Sequence, residues 1–193
     1  PPRRSADAAR SSHNTFELGL RLYLGEAGVL MDYDEAVQLF RIAADQGHAN
    51  AQHSTGVVYR DQRQDYGEAT RWFRLSGLAT AQYNLAALYH KDTGVHQSDG
   101  KAARYSRLAA DQGFAEAQRN IGNCLLIGEG VAQDVGEAAC YYRLAADQGH
   151  VDAMYSLARR YCADEGGLPQ QDYGEAARWF RLAADQGYAE AVR

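Results

Sequence analysis

One five-residue segment, Ala-Ala-Asp-Gln-Gly, stands at 43–47, 109–113, 145–149 and 183–187. The offsets are 66, 36 and 38 residues. A chain that repeats itself every 20 to 50 residues or so is one supersecondary unit stacked on copies of itself. The 66-residue gap holds an eroded copy at Leu75-Ser76-Gly77-Leu78. A second marker precedes each copy, as DYDEA at 32–36, DYGEA at 65–69, DVGEA at 134–138 and DYGEA at 172–176, with the divergent Ser98-Asp99-Gly100-Lys101-Ala102 in third place. A third marker is a large side chain at Tyr23, Tyr59, Tyr89, Leu125 and Tyr161, at spacings of 36, 30, 36 and 36. The chain therefore reads as five units of basic period 36, the second shortened by six residues and the loop of the fifth lengthened by two.

Each unit reads as two helices. The second, helix B, opens at Asp32, Asp65, Asp134 or Asp172, each followed three residues later by Glu35, Glu68, Glu137 or Glu175. That spacing predicts an aspartate N-cap with a reciprocal glutamate at the third helical position. Ser98 serves as the cap in the third unit, where Lys101 replaces the glutamate. Helix B stops at Gly47, Gly113, Gly149 or Gly187, a place for the left-handed residue that ends many helices. Between cap and stop lie Leu39-Phe40, Trp72-Phe73, Tyr141-Tyr142 and Trp179-Phe180, read as core. Helix A follows directly. Its apolar stripe at Ala81, Leu85, Leu88 and Tyr89 has helical spacing. The small residues Ala86, Gly122 and Ala158 share one position, where they let the paired helix approach closely.

The chemistry of the chain is sparse. A net charge of −5 argues against a general nucleic-acid binder. No apolar run reaches the roughly 20 residues of a membrane span, and PPRRSADAAR at the start has no apolar h-region behind it. No dinucleotide, P-loop, zinc-protease or hydrolase motif is present. The carboxylates recur in register, which marks them as structural, since a catalytic pair is expected once. No cofactor or metal is expected. His48 and His150 follow the AADQG segment and read as loop or helix-start residues. Of the three cysteines, Cys124 and Cys140 share the fourth unit, but Cys140 takes the outer position that Arg71 and Arg178 hold elsewhere. The two are read as pointing apart. Unpaired thiols and the missing leader favour a cytoplasmic setting, with the compartment otherwise unknown.

The segments AQYNLAALY, GEGVAQDVGEAA and YYRLAADQGH resemble the Sel-one-like repeat, a subclass of the tetratricopeptide-like helical repeats. The resemblance covers about residues 16–193, with local departures in repeats two and three and a slip of one residue near Leu18-Gly19-Leu20. It implies an all-α fold, a right-handed α-solenoid of antiparallel helix pairs with about five repeats and a concave inner face. It also implies an adaptor role in assembling complexes. The expected organisation is a polar N-terminal tail over 1–12 and a single solenoid over 13–193, divided at about 13–48, 49–78, 79–114, 115–150 and 151–188. The closing AEAVR opens a sixth helix A without a polar cap, from which the sequence leads one to expect a longer protein or self-association through an open C-terminal end.

By analogy with tetratricopeptide geometry, helix A lines the groove at positions six before, two before and one after the anchor residue. These are Glu17, Arg21 and Leu24; His53, Val57 and Arg60; Tyr83, Ala87 and His90; Arg119, Asn123 and Leu126; and Tyr155, Arg159 and Cys162. The set holds four arginines, two histidines and two tyrosines against one glutamate, opposite in sign to the chain. Arginine forks carboxylates and, with tyrosine, dominates binding hot spots. Two readings stay open for this set: a groove for an acidic or C-terminal peptide, and a solvated helix face. The expected function is a non-catalytic scaffold for a protein partner, with a regulatory or targeting domain of a larger protein as the alternative.

Overall fold

The computed structural model describes residues 2–26, 28, 30–91, 95–163 and 172–188. Among them every regular element is an α-helix: α1 (Pro2–Leu24), α2 (Tyr33–Asp45), α3 (Ala49–Asp61), α4 (Tyr66–Ser76), α5 (Ala79–His90), α6 (Asp99–Asp111), α7 (Ala115–Ile127), α8 (Val135–Asp147), α9 (Val151–Cys162) and α10 (Tyr173–Asp185). The chain clusters into two compact units, Pro1–Gln97 and Ser98–Arg193. In the first, each of α1 to α4 packs against the next helix in order; in the second, α6 to α10 do the same. The A-helices are α1, α3, α5, α7 and α9, and the B-helices alternate with them. None of the described helices is long and apolar enough to cross a membrane.

The segment 1–12 was expected to be a polar tail, but α1 begins at Pro2 and runs through it. Proline is tolerated in a first helical turn, and Ala6, Ala8 and Ala9 favour the helix that Phe16 and Leu22 then anchor in the core.

The caps explain where the B-helices begin. The carboxylate Oδ1 of Asp32, Asp65, Asp134 and Asp172 accepts from the amides of Glu35, Glu68, Glu137 and Glu175 at 3.0, 3.0, 2.8 and 2.9 Å. Ser98 Oγ accepts from Lys101 N at 3.4 Å. The reciprocal half of the expected capping box is replaced by something else. The cap amides of Asp32, Asp65, Asp134 and Asp172 donate to the carbonyls of Leu22, Tyr59, Leu125 and Tyr161 on the preceding A-helix. With that donor satisfied, the glutamate side chains turn to arginines: Glu68 to Arg71, Glu175 to Arg178, and Glu137 to Arg107 of α6.

The B-helices stop as the sequence predicts. Gly47, Gly113, Gly149 and Gly187 hold φ of 85, 88, 89 and 87°. Each closes a pair of backbone bonds, as in Gly47 N to Ala44 O and His48 N to Ala43 O, the double bond of a Schellman motif. His48 then starts α3, its Nδ1 accepting from Ala51 N at 3.2 Å. Burial and the nearby His13 charge hold its pKa below the ordinary histidine value.

The core lies between paired helices. Phe40, Phe73 and Tyr142 are sealed from solvent, each side chain contributing roughly 1.5–3 kcal/mol by burial. Their rings reach the small A-helix position. A Cβ added at Gly56 would lie 2.7 Å from the Phe73 ring, and one at Gly122 would lie 2.7 Å from the Tyr142 ring. Buried Gln52 and Gln118 donate to the carbonyls of Ala44 and Ala110, at 3.1 and 3.2 Å, tying the start of an A-helix to the end of the preceding B-helix. Cys124, Cys140 and Cys162 are free thiols; Cys140 is exposed on α8, and burial pushes the Cys124 thiol pKa up.

Candidate functional site

The hydrogen bond from the cap amide locates the anchor residue of each A-helix independently of sequence alignment. It selects Tyr59, Leu125 and Tyr161, as expected, but Leu22 in place of Tyr23. Two further contacts agree. Gly19 faces the Phe40 ring as Gly56 faces Phe73 and Gly122 faces Tyr142. Phe16 meets Phe40 at 5.6 Å between ring centroids, as His53 meets Phe73 at 5.8 Å and Tyr155 meets Phe180 at 5.5 Å. In the first repeat the positions equivalent to the groove set are therefore Phe16, Leu20 and Tyr23. Glu17, Arg21 and Leu24 lie one residue further round α1, the first half-buried and the other two exposed. The close fit of a glycine against an aromatic ring sets the register here, and Gly19 stands one place earlier than the period of 36 demands.

In the first unit the groove positions of α3 and α5 are tied into a chain of polar contacts. Arg60 donates through Nε and Nη2 to Asp61 Oδ1 and Oδ2, at 2.5 and 2.8 Å, and through Nη1 to Asn84 Oδ1 at 2.7 Å. Asn84 Nδ2 lies 3.1 Å from His53 Nε2. The Arg60 guanidinium also sits 5.9 Å from the centre of the Phe73 ring. The forked bond raises the Arg60 pKa and lowers that of Asp61. Burial, then the Arg60 charge, lowers that of His53. Arg60 thus carries its own counter-ion. On α5, Tyr83 is half-buried and His90 exposed.

In the second unit the same positions are differently arranged. Arg119 Nη1 donates to the neutral Asn120 Oδ1 at 3.3 Å, and its Nη2 lies 4.0 Å from Asp152 Oδ2. Its Nε is buried with no acceptor among the described residues. The hydroxyl of Tyr142 donates to Asn123 Oδ1 at 2.7 Å. Burial pushes the Tyr142 pKa up to about 12, against the opposing charges of Arg160, Arg119 and Arg159. Tyr155 packs against Phe180 and against Tyr188, the latter at 4.8 Å between centroids. Arg159 is exposed and Arg160 half-buried.

Sequence reasoning passed over Asn84, Asn120 and Arg160. A signal for the asparagines was present, because Asn84 and Asn120 both stand five residues before the anchor, and each accepts from an arginine. Arg160 had no such signal, being one of many arginines beside an apolar position.

The Sel1 repeat profile matches residues 15–48, 49–78, 79–114, 115–150 and 151–188. The chain is similar to c5321, a protective antigen present in uropathogenic Escherichia coli strains that displays an SLR fold, with 30% identity and a TM-score of 0.86 over 99% of this chain and 42% of that one. It is similar to a Sel1 repeat protein from Oxalobacter formigenes, with 28% identity and a TM-score of 0.78 over 93% of this chain and 75% of that one. A more distant likeness is to the immunity protein PA5088 from Pseudomonas aeruginosa, with 25% identity and a TM-score of 0.53 over 93% of this chain and 66% of that one. The chain thus spans less than half the length of the Escherichia coli antigen. Among curated proteins, none is significantly similar in sequence.

Proposed function

The chain belongs to the Sel1 repeat family, and on that premise we propose that it is an interaction scaffold whose A-helix surfaces dock a partner peptide or domain, with an acidic segment as the preferred ligand. Sel1 repeat proteins generally mediate protein–protein interaction, and their fold is a typical non-catalytic repeat scaffold. One observation carries the finer reading. The prominent residues that recur from repeat to repeat are consumed as caps, helix stops and core. The residues that vary sit at the groove positions of the A-helices, where arginine, histidine and tyrosine outnumber acidic groups. Solvent-facing positions that change identity on a constant scaffold are where repeat proteins bind.

The test is a pull-down from the source organism's lysate. Wild type is run beside a variant with Arg60, Arg119 and Arg159 all changed to glutamate, after circular dichroism has shown equal helicity. Partners lost only from the variant support the reading. An unchanged partner list moves the site to the B-helices or the loops.

A second reading, a regulatory or targeting domain of a larger protein, is favoured by the 42% coverage of the Escherichia coli antigen. The size of the protein detected in source cells by an antibody raised against this chain decides it.

A further inference from the structure

We infer that His53 and Arg60 of α3, joined through Asn84 of α5, form an acid-sensitive latch, in which a proton taken up by His53 breaks the Asn84 bridge and alters the wall of the cavity beside it. The inference stands apart from the identity of any partner, because it concerns how one face of the first unit responds to pH.

Donor and acceptor accounting carries it. A guanidinium can only donate. Arg60 Nη1 reaches the Asn84 side chain at 2.7 Å, so the atom it meets is the amide oxygen Oδ1. That fixes the orientation of Asn84 and turns Nδ2, a donor, to His53 Nε2 at 3.1 Å. Nε2 must then present a lone pair. His53 is neutral in this arrangement, with its ring proton on Nδ1. A second proton goes on Nε2 and sets two donors face to face. Turning the amide over gives no relief, because Nδ2 would then meet the Arg60 donor. Asn84 can serve one cation or the other.

The surroundings offer no counter-charge. The His53 ring is half-buried and stands 5.8 Å from the Phe73 ring of α4 between centroids. Asn84, which reaches it from α5, is uncharged. Among the described residues Arg60 is the charged group that acts on it, and α2, α4 and α5 bring it no carboxylate. Asp61 is held by Arg60 Nε and Nη2 at 2.5 and 2.8 Å. Burial, then the Arg60 charge, holds the His53 pKa below 6.5. The bridge is therefore whole near neutral pH and is lost as the pH falls through that lowered value.

The consequence falls on the α3/α5 surface. These two A-helices make little direct backbone contact, so Asn84 ties them through side chains. Arg60 and Asn84 also line a cavity of about 430 Å³, together with Asp61, Tyr66 and Lys91. Release of the bridge leaves one arm of Arg60 and the Asn84 amide available to that cavity. By linkage, a ligand that draws Arg60 off Asn84 must raise the His53 pKa in return.

The test is a pH titration of the full chain, labelled with ¹⁵N, from about pH 8 to 5. Long-range ¹H–¹⁵N correlation spectra report the tautomer and pKa of each histidine, with His53→Gln assigning the ring and Arg60→Lys assigning the Arg60 Nε–Hε signal. His53 is expected to carry its proton on Nδ1 at neutral pH, and Arg60 Nε–Hε is expected to move with the His53 midpoint. Asn84→Ala removes the donor that favours neutral His53 and keeps the Arg60 charge. It is expected to raise the His53 pKa by about half a unit to one unit and to shrink the Arg60 response. The latch is overturned if neutral His53 carries its proton on Nε2, or if Arg60 does not follow the His53 titration. It is equally overturned if Asn84→Ala leaves the pKa within about 0.2 unit or the Arg60 response undiminished. Should circular dichroism show that Asn84→Ala has lost helicity, the tautomer and the shared midpoint in wild type decide the matter.

Discussion

Gly122 offers the sharpest test of how these helix pairs close. It lies inside α7, where alanine in place of glycine would ordinarily stabilise by about 0.5–1 kcal/mol through chain entropy. Here the added Cβ would sit 2.7 Å from Tyr142 Cε1 and 2.9 Å from its Cδ1. The Tyr142 ring is 1% exposed and its hydroxyl is tied to Asn123, so it has little freedom to retreat. Overpacking of this kind costs about 1–3 kcal/mol. Gly122→Ala is therefore expected to lower stability by up to about 2 kcal/mol despite the better helix former. In a Tyr142→Leu background the clash is gone, and the same change is expected to stabilise by up to about 1 kcal/mol. The double-mutant cycle, read by urea unfolding followed at the helical circular-dichroism band, thus predicts a coupling of about 1–3 kcal/mol. A coupling within about 0.5 kcal/mol, the range of independent sites, would refute the reasoning. Ala158 occupies the same position on α9, opposite Phe180, which is only half-buried and has room to give way.

Three further outcomes are expected. Asp134→Ala removes the acceptor for the Glu137 amide and should cost about 1 kcal/mol in the same unfolding assay, whereas Asp134→Asn, which keeps a cap oxygen, should cost much less. His48 titrates below its ordinary value when folded, because of burial and then the His13 charge, with Glu17 opposing. The unfolded chain takes up the proton first, so stability is fully present above about pH 6.5 and is lost as the pH falls through the folded value. His48→Asn retains a cap acceptor and should flatten the fall in melting temperature between about pH 7 and 5, without abolishing it, because the pKa of His53 is also lowered. Iodoacetamide should alkylate exposed Cys140 first and Cys124 later, since burial raises the latter's pKa; equal rates by peptide mapping would contradict the packing of α7.

What the sequence by itself determined is what short-range physics controls. The B-helix starts follow from an aspartate or serine three residues before an amide it can accept, as Asp32, Asp65, Ser98, Asp134 and Asp172 show. Their ends follow from a glycine that alone is comfortable at φ near 85–89°. The aromatic at Phe40, Phe73 and Tyr142 could be assigned to the core because helical spacing puts it on the same face in each copy. Those interactions close within one or two helical turns, so a repeated motif carries them whole.

Tertiary structure decided what depends on residues far apart in the chain. The slip of α1 onto Leu22 is set by Gly19 meeting Phe40 across a helix pair. The glutamates expected to complete the capping boxes were released because the cap amides find carbonyls on the preceding helix. Among the groove arginines, Arg60 is neutralised by the adjacent Asp61 and held in place by Asn84, 24 residues on, while Arg119 has Asp152 at 4.0 Å. Periodicity assigned both arginines to one kind of position. How each guanidinium is held depends also on the neighbours that packing brings near it, Asn84 for Arg60 and Asp152 for Arg119, and no repeat spacing encodes that.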